Sequence, residues 1–122
     1  MSDAATRNTL EVMERFNDAF NSHDVDRVMA LMTDDVVFES TSPPDGDRHE
    51  GAAAVRSAWE AFFSSSPDAR FETEETLAIG DRCVQTWTYR WTEDGEERHV
   101  RGVDVLRVRD GRVAEKLSYV KG

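Results

Sequence analysis

Apolar residues change their period part-way along the chain. Before about residue 65 they recur every three or four positions, and after it they alternate. Leu10, Met13, Phe16 and Phe20 share one helical face and predict a helix over about 5–22. Asp24 is placed to cap a second, short helix with Val25, Val28, Met29 and Met32 inward. "DVVFES" (35–40) predicts a short strand, and "TSPPDGDRHEG" (41–51) a turn-rich excursion. Val55, Ala58, Trp59 and Phe62 predict a third helix, stopped by "SSSPD". Strands are expected at about 70–79, 82–92, 97–109 and 112–121, turning at "GD", "EDGE" and "RDG". The order α-α-β-α-β-β-β-β gives an α+β fold: a helical half and an antiparallel meander.

The hairpin at Asp94-Gly95 fixes a register by counting outward. Trp91 faces Arg98, Tyr89 faces Val100, Trp87 faces Gly102 and Gln85 faces Asp104. A tryptophan opposite a glycine covers bare backbone. The next turn leaves two alternatives. A three-residue loop at 109–111 pairs Asp104 with Lys116, and a two-residue loop pairs it with Leu117. The first puts Gln85, Trp87, Tyr89, Asp104, Leu106, Lys116 and Ser118 on one face. Aromatic walls around a few central polar groups suit a small-molecule pocket. The other face carries Val84, Thr86, Thr88, Val103, Val105, Leu117 and Tyr119. It is too apolar for open water, and the helices suffice for one face only, so a homodimer through the outer sheet face is expected.

Composition narrows the function. The chain's 122 residues predict one domain, 1–122, with room for a core and one pocket. Net charge is −10, from 25 acidic and 15 basic residues. That argues against nucleic acid and against an anionic membrane surface. No apolar run is long enough to span a membrane and no signal peptide is read, so a cytoplasmic location is expected. Cys83 is the only cysteine, and His23, His49 and His99 have no metal-binding spacing. No metal and no cofactor are expected. His49 and Asp45 fall in the 41–51 loop, within reach of a pocket mouth, but a solvated loop is the simpler expectation.

"NSHDVDRVMALMTDDVVFES", "HEGAAAVRSAWEAFF" and "VRGVDVLRVRDGRVAEKLSYV" together resemble the nuclear transport factor two-like superfamily, and within it the SnoaL-like and ketosteroid-isomerase-like proteins. The resemblance spans roughly 8–121. It implies a cystatin-like cone: a curved antiparallel sheet wrapped around three helices, with a pocket inside. It puts Asp104 where ketosteroid isomerases have a hydrogen-bonding Asp and SnoaL-type cyclases an acid–base Asp. The isomerase base falls on Ser40, its oxyanion-hole Tyr on Phe16, and a supporting Tyr on Trp59. A strict steroid isomerase is therefore not expected. SnoaL-type chemistry, which needs one carboxylate moving one proton, remains open.

Asp104 is thus the candidate catalytic residue. Phe16, Phe20, Ser40, Trp59, Gln85, Trp87, Tyr89, Leu106 and Lys116 are the candidate contacts for a small hydrophobic molecule. Asp104 has a plainer reading, as half of a buried ion pair with Lys116. An unpaired carboxylate serving a ligand predicts that Asp104→Asn keeps or raises stability; a structural pair predicts a loss. Three functions stay open: a cofactor-free enzyme moving a proton on a hydrophobic carbonyl compound, a non-catalytic carrier of an apolar ligand, and a dimerisation module.

Overall fold

The computed structural model describes residues 3–121. The first helix, α1 (Ala4–Asn21), is capped by Asp3, whose carboxylate accepts from the Thr6 N–H at 2.7 Å. Its inward stripe is Val12, Met13, Phe16, Ala19 and Phe20, while Leu10, expected inside, is exposed. Thr6 and Thr9 are buried on the same helix because they bond the backbone of Gly80. Asp24 caps α2 (Val25–Ala30) as expected, with Val28 fully buried. Met32 is also buried, but it begins strand β1 (Met32–Glu39) rather than ending the helix.

The turn-rich segment contains one unexpected strand, β2 (Arg48–Glu50), paired antiparallel to β1. Helix α3 (Ala52–Ser65) buries Val55, Trp59 and Phe63. Phe63 takes the deep position expected for Phe62, which is only partly buried. The meander follows: β3 (Arg70–Ile79), β4 (Arg82–Glu93), β5 (Glu96–Arg109) and β6 (Arg112–Val120).

All six strands join one curved sheet in the order β2-β1-β6-β5-β4-β3. The sequence predicted only antiparallel pairing. The β1–β6 contact is parallel, because the chain leaves β1, crosses through α3 and the meander, and returns along it. The core lies between the helices and the concave face. Phe20 is its hub, with ring contacts to Phe16, Trp59, Phe62, Phe63 and Phe71.

Candidate functional site

The hairpin between β4 and β5 has the register that its Asp94-Gly95 turn dictates: Gln85 opposite Asp104, Trp87 opposite Gly102, Tyr89 opposite Val100. Both turn residues have positive φ, 52° and 78°. The Trp87 ring does lie on Gly102; a Cβ there would sit 2.5 Å from the indole.

The next hairpin corrects both alternatives. Asp110 and Gly111 form a two-residue turn at positive φ, with Arg109 opposite Arg112. The register then shifts, since Val108 faces Val113 while Arg107 faces Glu115. Ala114 is the extra, bulged residue. Asp104 therefore meets Ser118, neither Lys116 nor Leu117, and Lys116 meets Leu106. The bulge also decides the chemistry. A side chain's face alternates with position, so without it Glu115 and Leu117 would point inward and Lys116 and Ser118 outward.

With the bulge, three polar side chains meet inside the cone. The Ser118 hydroxyl donates to Asp104 Oδ1 at 2.7 Å and accepts from Lys116 Nζ at 2.9 Å. The ammonium lies 3.4 Å from Asp104 Oδ2, with the two side chains only 10% and 6% exposed. Around Nζ stand the rings of Phe38, Trp59 and Phe20, with centres at 4.9, 5.5 and 6.0 Å. Ring faces attract a cation most strongly where water is excluded. The Trp59 ring is itself anchored by its N–H on Met32 Sδ at 3.3 Å. An ammonium has three N–H donors. Ser118 takes one and Asp104 lies at ion-pair distance, so at least one is left for an added acceptor.

Two hollows flank this group. The larger is a recess of about 1060 Å³, counting the space at its mouth. Phe20, Ser40, Trp59, Trp87, Tyr89 and Lys116, all named from the sequence, line it. So do Ser118, Phe38, Asp47 and His49. The smaller crevice, about 340 Å³ counted the same way but with only about 20 Å³ open to a water-sized molecule, is lined by Phe16, Gln85 and Asp104 with Asn17, Phe71 and Thr73. Phe20, Phe71, Trp87 and Lys116 border both. Asp104 therefore faces the crevice, behind Lys116 and Ser118. Leu106 lines neither hollow and is wholly buried core.

Gln85 stands beside Asp104 but bonds elsewhere. Its amide exchanges two hydrogen bonds with Asn17, at 2.8 and 3.0 Å, and accepts from Thr76 at 3.1 Å. Ser40 takes part in the loop, accepting from the Asp47 N–H at 2.9 Å. Burial raises the Tyr89 phenol above its ordinary range, opposed by a hydrogen bond to Ser66. Position 45 belongs to a separate groove on the loop's outer side; Asp47 and His49 are the residues that reach the recess. His49 was within sight of the sequence, but nothing local revealed β2, the strand that aims it.

A family model for the SnoaL-like domain matches residues 13–116. The chain belongs to the SnoaL-like domain family. An NTF2-like protein of unknown function from Mesorhizobium loti is 41% identical, over 100% of this chain and 98% of its own, at a TM-score of 0.85. A protein of Jannaschia sp. CCS1, provisionally assigned as a SnoaL-like polyketide cyclase, shares the fold at 17% identity and TM-score 0.85, covering 99% and 90% of the two chains. TerC, co-crystallised with polyporic acid, does so at 18% identity and 0.80, covering 93% and 92%. No curated protein matches by sequence. In this SnoaL-like domain, no helix among the described residues is long and apolar enough to cross a membrane.

Proposed function

We propose that residues 1–122 act as one domain whose recess binds a small apolar carbonyl compound, and that the protein moves a proton on it without a cofactor. The observation that carries this reading is the caged Lys116 ammonium, which has a donor to spare at the floor of an aromatic recess. A carbonyl oxygen accepting that N–H is polarised, and charge developing on it is met in a water-poor site where hydrogen bonds count most. Asp104 is the acid–base group, reaching the ligand's oxygen through the Ser118 hydroxyl. The related fold that holds polyporic acid supports a ligand of this size and character.

One observation favours a second reading, a non-catalytic carrier: Asp104 fronts the crevice and not the recess. A thermal-shift series with aromatic ketones separates the two, combined with turnover of any ketone that binds. The enzyme reading expects Lys116→Met to abolish the shift and Asp104→Asn to remove turnover while binding persists. Full turnover by Asp104→Asn would refute the acid–base role. The outer sheet face, where Val84 and Tyr119 are exposed, further supports pairing with a second copy of the chain.

A further inference from the structure

We infer that His49 is the proton acceptor on the carbon side of the recess, facing a ligand whose oxygen is held by Lys116. This rests on the carbonyl reading above and adds a second acid–base residue to it. His49 lines the recess from β2, directly opposite Phe38 in the sheet. Its ring lies nearly parallel to the Phe38 ring, 14° apart with centres 5.7 Å apart. The stack fixes the imidazole plane, yet neither ring nitrogen has a hydrogen-bond partner among the described residues. The other histidines differ. His23 Nε2 is tied to the Ala69 carbonyl at 2.6 Å, and His99 is exposed on β5. A half-buried imidazole with both nitrogens unengaged, on the wall of an apolar recess, is a proton acceptor with nothing else to do.

The spacing suits enolisation. Lys116 Nζ is 4.9 Å from the Phe38 ring centre and the His49 ring centre is 5.7 Å from it, so at most about 10.6 Å separates the two. A carbonyl oxygen about 2.9 Å from the ammonium, with its neighbouring carbon about 3–3.5 Å from a base, spans roughly 8 Å in all. That span lies inside the bound, so one enolisable ketone can bridge both groups. The imidazole nitrogen gains the proton as the C–H bond breaks. The C–H pair becomes the C=C bond of an enolate, and the carbonyl π pair moves to oxygen beside the ammonium. Return of the proton to the same or a conjugated carbon restores the imidazole and balances the reaction. The other groups on the recess wall able to exchange a proton are Asp47, Tyr89 and Lys116, with the hydroxyls of Ser40, Thr41, Ser42 and Ser118. Arg48 is ion-paired with both Glu39 and Glu50 on the alternate positions of β1 and β2.

The test follows 2-tetralone in D2O by proton NMR, reading binding from line broadening and enolisation from loss of the signals next to the carbonyl. The wild type should exchange these protons faster than buffer. His49→Gln, and His49→Phe, which keeps the stack on Phe38, should each slow exchange at least tenfold with affinity within twofold of wild type. Wild-type exchange in both variants would overturn the inference, as would a loss that follows Asp47→Asn instead. Binding by the wild type with no exchange above buffer overturns it too, yet leaves the carbonyl-binding recess standing. Absence of binding removes both.

Discussion

Lys116 is held by one carboxylate, one hydroxyl and three rings, and that inventory predicts how its neighbours respond to mutation. Asp104→Asn leaves a buried ammonium without its counter-charge, so stability should fall by roughly 3 kcal/mol in urea unfolding, the cost of breaking a buried pair. The double variant Asp104→Asn/Lys116→Met should lose less than the sum of the singles, since no charge is stranded. The alternative drawn from sequence, unchanged or raised stability, belongs to an unpaired carboxylate, and here Asp104 is paired. Gly102 is a second sensitive point. A Cβ there would lie 2.4 Å from the Tyr119 carbonyl oxygen and 2.5 Å from the Trp87 ring, so Gly102→Ala should cost about 1–3 kcal/mol by overpacking. Cys83 carries a pH signature. Burial, then the Asp104 charge, pushes its thiol from 9.0 up to about 11. The folded state thus keeps the proton longer than the unfolded one. Stability from this group is intact below pH 9 and is lost as pH rises toward 11. At pH 8 the native thiol should resist alkylation that the denatured protein undergoes within minutes. The Trp87–Gly102 contact was legible in the sequence because a two-residue turn and a period of two leave one answer.

At the scale of elements, the β6 bulge is the device that makes the site. Deleting Ala114 should remove the bulge yet keep Lys116 opposite Leu106 and Ser118 opposite Asp104, because the pairs beyond it already count 107 with 115, 106 with 116 and 104 with 118. Ketone-induced thermal shifts should therefore persist in the deletion variant, and their loss would show that the bend of the bulge, and not the facing of Lys116 alone, shapes the recess. The same element marks the limit of the sequence reading. Choosing the even-numbered face of β6 was right and the partner was wrong, because a bulge has no signature in an alternating pattern that already reads "VAEKLSYV". A second bulge, at Glu74 in β3, was equally hidden. It puts the Glu74 carboxylate on Arg101 and Thr88. Arg101, then Thr88, hold the Glu74 carboxyl below its ordinary range. Its contribution should therefore be present above the ordinary value and lost as pH falls below it. Helices, meander and turns were legible from period and turn chemistry. The strand β2 was not, since three residues between Pro, Gly and Asp show no period.

At the scale of the whole molecule, the outer sheet face tests the expected pairing. Val105→Arg puts a charge where two copies would meet, so light scattering should report monomer mass for the variant against dimer mass for the wild type. Equal masses would remove the dimer. The parallel β1–β6 contact was beyond the sequence reading, because local patterns state that a strand exists but not which distant strand it joins. That contact has a consequence for how the protein is made. β6 follows every other described element in the chain, yet it lies in the interior of the sheet, between β1 and β5. During synthesis the N-terminal half emerges with β1 unable to close on its long-range partner. Its apolar surface waits, open to chaperones or to aggregation, until the final strand is translated. A ribosome-bound chain stalled before residue 112 should be protease-sensitive throughout, and the pocket should be born last, in one step.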